Sequence, residues 1–259
     1  DLCDIAFLKC VTLKEVIIPD TVKSIGVCAF AGCSSLRQIK FPKSLSSIGD
    51  EAFSGCSSLT QLSIPPTWSL GNYVFSKCTS LKQVIIPDFT ISEKEGVFYG
   101  CESLQQIFID SDFRVDPDSN TAFDFCQGCI GKKAFYDCSS LRQIYIPNSI
   151  VVISERAFGN CYSLEAFRTP WDLIYIGEEA FKGCFSLEEV NITNPDCTIR
   201  PNAFNCGVWM DPIPFAAKCF DYHGKQWNEA LRKIIIPEGT IERFKKMLEE
   251  RLWDKLVED

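Results

Sequence analysis

The segment AFAGCSSLRQIKFP, residues 29–42, returns almost letter for letter as AFSGCSSLTQLSIP from Ala52 and AFYDCSSLRQIYIP from Ala134. A repeat of this kind constrains a chain severely, because every copy must fold alike and meet its neighbour through the same side chains. Aligned on their phenylalanine, the copies give Phe7, Phe30, Phe53, Phe75, Phe98, Phe135, Phe158, Phe181 and Phe204. The steps are 23, 23, 22, 23, 37, 23, 23 and 23 residues.

A fixed period of about 20–29 residues with Leu-x-x-Ile-x-Ile in each unit predicts a leucine-rich repeat solenoid. The expected fold class is α/β: a right-handed solenoid with a parallel sheet of about nine short strands, short helical or 3-10 return segments, and a C-terminal capping helix. The strands should follow Leu13, Leu36, Leu59, Leu81, Leu104, Leu141, Leu164, Leu187 and Leu231, since their fourth and sixth positions alternate inward. A proline closes most of them (Pro19, Pro42, Pro65, Pro87, Pro147, Pro170 and Pro237), and its missing N–H ends the ladder there. Residues 1–259 thus read as a single solenoid domain, with repeats over about 2–204, inserts in 110–133 and 205–230, and a terminal strand and cap in 231–259.

The same offsets place Cys10, Cys33, Cys56, Cys78, Cys101, Cys138, Cys161 and Cys184 three residues after each phenylalanine, in one column. Parallel coils lie about 4.8 Å apart, too wide and badly oriented for disulfides, so these thiols should be buried and unbridged. Cys3, Cys28, Cys126, Cys129, Cys197, Cys206 and Cys219 fall outside the column, and their redox state is open. A serine before the strand leucine in seven coils, Ser35 to Ser186, is placed to satisfy main-chain groups at the bend.

Stretches such as SIGDEAFSGCSSLTQLSIP also resemble the BspA-type leucine-rich repeat family, whose unit reads I-G-x-x-A-F-x-x-C-x-S-L-x-x-I-x-I-P. The resemblance implies a non-catalytic surface or secreted protein with a role in adhesion or protein binding, and no cofactor. It implies an extracellular or cell-surface setting, although no leader is visible and the chain begins inside a coil. It carries over no binding residues.

Composition narrows the partners. With 34 acidic against 26 basic residues, the net charge is −8 and no basic stripe stands out. Nucleic acid is therefore not an expected partner, and no apolar run is long enough to insert in a membrane. The expected ligand is a protein or a host-matrix glycan, bound by a monomer.

Chemical motifs are sparse. His223 is the single histidine, and no triad or phosphate loop accompanies it. CQGC, with Cys126 and Cys129, is a lone CxxC compatible with zinc, redox chemistry, a local disulfide or plain thiols. Asp116, Asp118 and Asn120 alternate as in a calcium loop, but Thr121 and Gln127 replace the glycine and the bidentate glutamate. Asn191 begins a formal glycosylation sequon. A metal- or thiol-dependent enzyme would have to use Asp116, Asp118, Cys126, Cys129, Cys206, Cys219 and His223.

The outward strand positions are more informative. The third position holds consecutive glutamines, Gln38, Gln61, Gln83, Gln106 and Gln143, whose amides could bond along the sheet axis. The fifth position runs through Ile17, Lys40, Ser63, Ile85, Phe108, Tyr145, Arg168, Asn191 and Ile235. Ile85, Phe108 and Tyr145 form an apolar patch where exposed side chains need a cover, either a partner or the first insert folding back. The candidate site is Ile85, Phe108, Tyr145 and Arg168 with Gln83, Gln106 and Gln143. After the last strand, Thr240 is a candidate N-cap. Ile241, Phe244, Leu248, Leu252 and Leu256 then recur at helical spacing, as expected of a cap over the last coil.

Overall fold

The computed structural model describes residues 1–64, 69–87, 94–110, 128–205, 231–248 and 250–259, and it is a parallel β-solenoid. One side carries the expected strands: β1 (Glu15–Ile17), β3 (Gln38–Lys40), β5 (Gln61–Ser63), β7 (Gln83–Pro87), β8 (Gln106–Asp110), β11 (Ala166–Arg168), β13 (Glu189–Asn191) and β15 (Lys233–Ile236). The opposite side carries β2 (Ser24–Ile25), β4 (Ser47–Ile48), β6 (Ser69–Leu70), β9 (Gly128–Ile130), β10 (Ile150–Ile153), β12 (Tyr175–Ile176) and β14 (Thr198–Ile199). Among the described residues the return segments are therefore short strands and turns, without the expected helical or 3-10 returns.

The turns explain this difference. In the coils from Phe7 to Phe181, the positions two residues before and two after the motif phenylalanine adopt left-handed backbone, as at Cys28 and Gly32, Glu51 and Gly55, Tyr73 and Lys77, and Arg156 and Asn160. Alternate N–H groups then point at the next coil. Cys28 N donates to the Asp50 carbonyl at 2.9 Å, Phe30 N to Ala52 at 2.7 Å and Gly32 N to Ser54 at 2.7 Å. The intervening groups turn back, Ala31 N to Cys28 O and Cys33 N to Phe30 O, so a helix cannot form but few main-chain groups are stranded. Left-handed geometry is costly for non-glycine residues and is held here by these coil-to-coil bonds.

The motif phenylalanines fill the centre. All nine stack in sequence, from Phe7 on Phe30 to Phe181 on Phe204, with centroids 5.0–5.7 Å apart and planes within 15°. Phe98 stacks directly on Phe135 at 5.6 Å despite the long step between them, so the first insert leaves the coil without parting the core.

The cysteine column is buried from Cys33 to Cys184, and no disulfide joins its members. Its thiols do more than fill space. Each donates to the carbonyl of the motif phenylalanine one coil back, from Cys33 to Phe7 through Cys184 to Phe158, at 3.1–3.4 Å. Cys10, in the first coil, is only half-buried, because no described coil covers its outer side. Of the serines before the strand leucine, Ser58 acts as expected, donating to the Ser34 carbonyl at 2.6 Å.

Burial raises every column thiol from Cys33 to Cys184 above its ordinary value, with Cys56 and Cys101 pushed up to about 12. A thiolate is the reactive form, so these groups are inert in the native state. Iodoacetamide at mildly alkaline pH should leave the seven buried column cysteines unlabelled in the native protein and label them all after denaturation without reductant. Cys161→Ala, which empties space and removes one of the two hydrogen bonds to the Phe135 carbonyl, should lower the unfolding free energy by about 1–3 kcal/mol in urea titrations.

The C-terminus corrects a second expectation. A short helix α1 (Ile241–Met247) gives way to a 3-10 helix (Glu250–Lys255) and then to β16 (Leu256–Glu258), which pairs in parallel with β15. The tail is thus a further coil rather than one long helix. Phe244, Leu248, Leu252 and Leu256 are all buried, as their spacing suggested, although they sit on three different elements. The Thr240 hydroxyl donates to the Pro237 carbonyl rather than capping α1, and Glu258 Oε1 accepts the Ile241 N–H at 2.9 Å instead. Cutting the chain after Gly239 should bare the core end and the β15 edge, giving a lower melting temperature and a light-scattering mass above that of the monomer.

Candidate functional site

Three surfaces compete for a binding role. The first runs along the β2, β4 and β6 side, where Ser24, Ser47 and Ser69 line a shallow groove with Asp4, Asp50 and Lys94. Its carboxylates are already engaged: Asp4 Oδ1 accepts the Val27 N–H at 2.7 Å and Asp50 Oδ1 that of Asn72 at 2.8 Å. Asn72 repeats the device one coil on, accepting the Glu95 N–H at 2.9 Å. Gly71 sits beside it because a Cβ there would lie 2.4 Å from Asp50 N. These side chains splice one coil to the next, a role the return segments did not betray in sequence.

The second surface is the left-handed turn edge. Tyr73 Oη donates to Glu95 Oε1 at 2.6 Å, Lys133 Nζ reaches the same oxygen at 2.9 Å, and the Tyr73 ring occupies the space a Gly96 side chain would need. Tyr99 stacks on Tyr136 at 5.4 Å, Asn160 donates to both Tyr136 Oη and Asp137, and Glu179 is clasped by Arg156 and Lys182. These side chains satisfy one another and present little unspent chemistry to a ligand.

Hydrogen bonds from Tyr73 and then Lys133 hold Glu95 below the ordinary carboxylate range. For Glu179 burial acts upward, but the bonds from Lys182 and Arg156 outweigh it and the net shift is down. A depressed carboxylate stabilises the fold fully above its unfolded value and loses that contribution as pH falls through the folded one. The urea midpoint should therefore fall between about pH 5 and pH 3, and the double variant Glu95→Gln/Glu179→Gln should flatten that dependence.

The third surface is the outer face of the β1 to β15 strands, and it is built differently. Ile85 and Phe108 lie in register on β7 and β8 and are 41% and 48% exposed. Tyr145 follows on the next coil at 79%. Gln61, Gln83 and Gln106 align across β5, β7 and β8. Gln38 instead pairs with Glu15, and the described residues show no amide-to-amide bond along the column. The amides keep their donors and acceptors for other partners.

The sheet is not continuous here. Strands β5, β7 and β8 form one sheet and β11, β13, β15 and β16 another, and residues 141–146 between them form no strand. The expected ninth strand, with Gln143 and Tyr145, is thus an extended segment without a ladder. β8 runs to Asp110, in register with Pro87 at the end of β7, and its chain continues into the insert. Ile144 is consequently only half-buried, whereas Ile107 and Phe167 on the flanking coils are buried. Arg168 projects outward on β11 beside Asn191. Ile235, expected on the same outward row, is buried where β16 comes alongside.

Asp116, Asp118, Asn120, Cys126, Cys206, Cys219 and His223 lie outside the described residues. Cys129 is described, with its Sγ 3.3 Å from Ser154 Oγ. Among the described residues no group of three or more His, Cys, Asp or Glu is placed to hold a metal, and no helix is long and apolar enough to cross a membrane.

The repeat architecture, with its strand-face rows and its column of thiols, defines a leucine-rich repeat solenoid. The chain belongs to the BspA type leucine rich repeat region family, matched in six copies over residues 1–129 and 128–222. Among solved structures it is similar to a leucine-rich repeat protein from Bacteroides ovatus, at 24% identity and a TM-score of 0.66, over 99% of this chain and 62% of that one. It is also similar to the T. pallidum leucine-rich repeat protein, at 28% identity and a TM-score of 0.51, over 63% of this chain and 70% of that one. The chain spans less than two thirds of the length of the B. ovatus protein. No curated protein matches it significantly. Folds of this kind commonly serve as protein-interaction scaffolds.

Proposed function

We propose that the protein is a non-catalytic binding module that engages a protein or matrix ligand through the outer strand face. Ile85, Phe108, Tyr145 and Arg168 lie at its centre, with Gln83, Gln106 and Gln143 as polar contacts. The observation that carries this reading is the run of large apolar side chains on successive coils, Ile85, Phe108 and Tyr145, beside a column of glutamine amides that make no bond to one another. Such side chains gain most when a partner removes them from water. Family membership supports a surface or adhesive setting for this role. The other reading, a metal- or thiol-dependent enzyme built on the inserts, rests on residues outside the described structure, and stoichiometric metal in the purified chain would favour it.

The double variant Phe108→Ala/Tyr145→Ala separates a binding patch from a seat for the first insert. Outward side chains contribute little to the core, so melting should be nearly unchanged. Adhesion of protein-coated beads to an extracellular-matrix gel should drop at least tenfold, on the basis of about 2 kcal/mol for each buried aromatic. A marked loss of melting temperature with adhesion intact would assign the patch to the insert.

A further inference from the structure

Overall charge conceals a local feature of the same face. Along the strand side of the first six coils, Lys40 on β3 and Lys14, Arg37, Lys82 and Arg142, each directly after the strand leucine, are exposed, and the acids there are Glu15 on β1 and Asp110 at the end of β8. Five basic groups against two is the reverse of a chain carrying −8. None of the five cations takes part in an ion pair among the described residues, as is also true of Lys9, Lys23 and Lys77 elsewhere, whereas Lys132, Lys133, Arg156 and Lys182 at the turns are paired. From β11 onward the balance disappears: Glu165, Glu188 and Glu189 offset Arg168, Arg232 and Lys233, and Arg232 pairs with Glu188. The cationic stretch therefore ends at the coil that carries Tyr145.

We propose that this stretch binds an extended acidic polypeptide segment bearing one aromatic or large aliphatic anchor, which seats over Ile85, Phe108 and Tyr145. The inference rests on the strand-face reading above and adds the chemistry of the partner. Three features select a peptide. Unpaired cations attract and orient an acidic chain, which gives partner choice and a fast encounter. The apolar patch requires an anchor that a sulfated glycan or a nucleic-acid backbone does not offer. The unbonded amides of Gln61, Gln83 and Gln106 stand in register, one per strand, where they can pair with a peptide main chain. The dimensions agree: five coil steps of about 5 Å span about 25 Å, which about seven extended residues cover.

The test begins with a displayed library of random peptides, about twice that length, selected on the full chain and depleted on the Phe108→Ala/Tyr145→Ala variant. The retained peptides should be net acidic and carry a shared aromatic or aliphatic position. A synthetic member should lose at least tenfold in affinity, by fluorescence anisotropy, against Lys40→Glu/Lys82→Glu/Arg142→Glu. It should lose less against the matching Gln variant, and nothing against the control Lys9→Glu/Lys23→Glu/Lys77→Glu, with melting temperatures checked throughout. Raising salt from about 50 to about 300 mM should weaken it in the wild type and leave the triple Glu variant nearly unaffected. A retained pool that is neutral or basic overturns the acidic assignment and leaves the strand-face reading intact. If the synthetic peptide binds equally well without its anchor, and heparin or a single-stranded oligonucleotide shows the same dependence on the three cations, the face is a general polyanion surface and the proposal fails. If every retained peptide binds the depletion variant equally, or none is retained, both the proposal and the strand-face reading fall.

Discussion

Each coil closes around a phenylalanine that lies flat against the one before it, and the rest of the molecule follows from that contact. A spacing of 5.0–5.7 Å between rings fixes the pitch, and main-chain bonds across the left-handed turns must match it. The thiol three residues on is within reach of the preceding phenylalanine carbonyl only at this pitch. Ring, turn and thiol are therefore one device. Each supports the geometry the others need, and the energy is distributed over nearest-neighbour contacts, as in any quasi-one-dimensional repeat.

The device also explains what the solenoid tolerates. A step of 37 residues between Phe98 and Phe135 would break a fold held by its strands, because the ladder is indeed lost at residues 141–146. The stack is undisturbed there, with planes within 1°. The core column and the strand ladder are thus separable, and sequence can be inserted at a strand end at the cost of local pairing alone.

Much of the fold was legible because the period assigns each residue type to a column. Phe53, Cys56, Leu59 and Leu62 are buried at the offsets that their repetition demands. Less legible were features that depend on neighbouring coils. Asp4 and Asp50 look like ordinary turn acids, and only the stacked structure shows them accepting main-chain N–H groups from the next coil. Left-handed backbone at Glu51 or Arg156 carries no side-chain signature. The tail misled for a related reason: Phe244, Leu248, Leu252 and Leu256 keep helical spacing, but pairing of β16 with the open edge of β15 outweighs continuation of the helix. The amide column read as a ladder because strand spacing permits the bonds, yet exposed amides have water as an equally good partner.

The candidate surface was legible in part. Alternation along each strand identified Ile85, Phe108 and Tyr145 as outward, and all three are exposed. The charge pattern was hidden, since a sum over the chain averages the cations of one face against acids elsewhere. Position in the coil resolves it. Inward columns answer to stacking and cannot vary freely, and the turn edge spends its charges on itself through Glu95 and Glu179. The outer strand positions are under neither constraint. They can hold Lys40, Gln106 or Phe108 without cost to the core, which is why recognition chemistry can accumulate on this face.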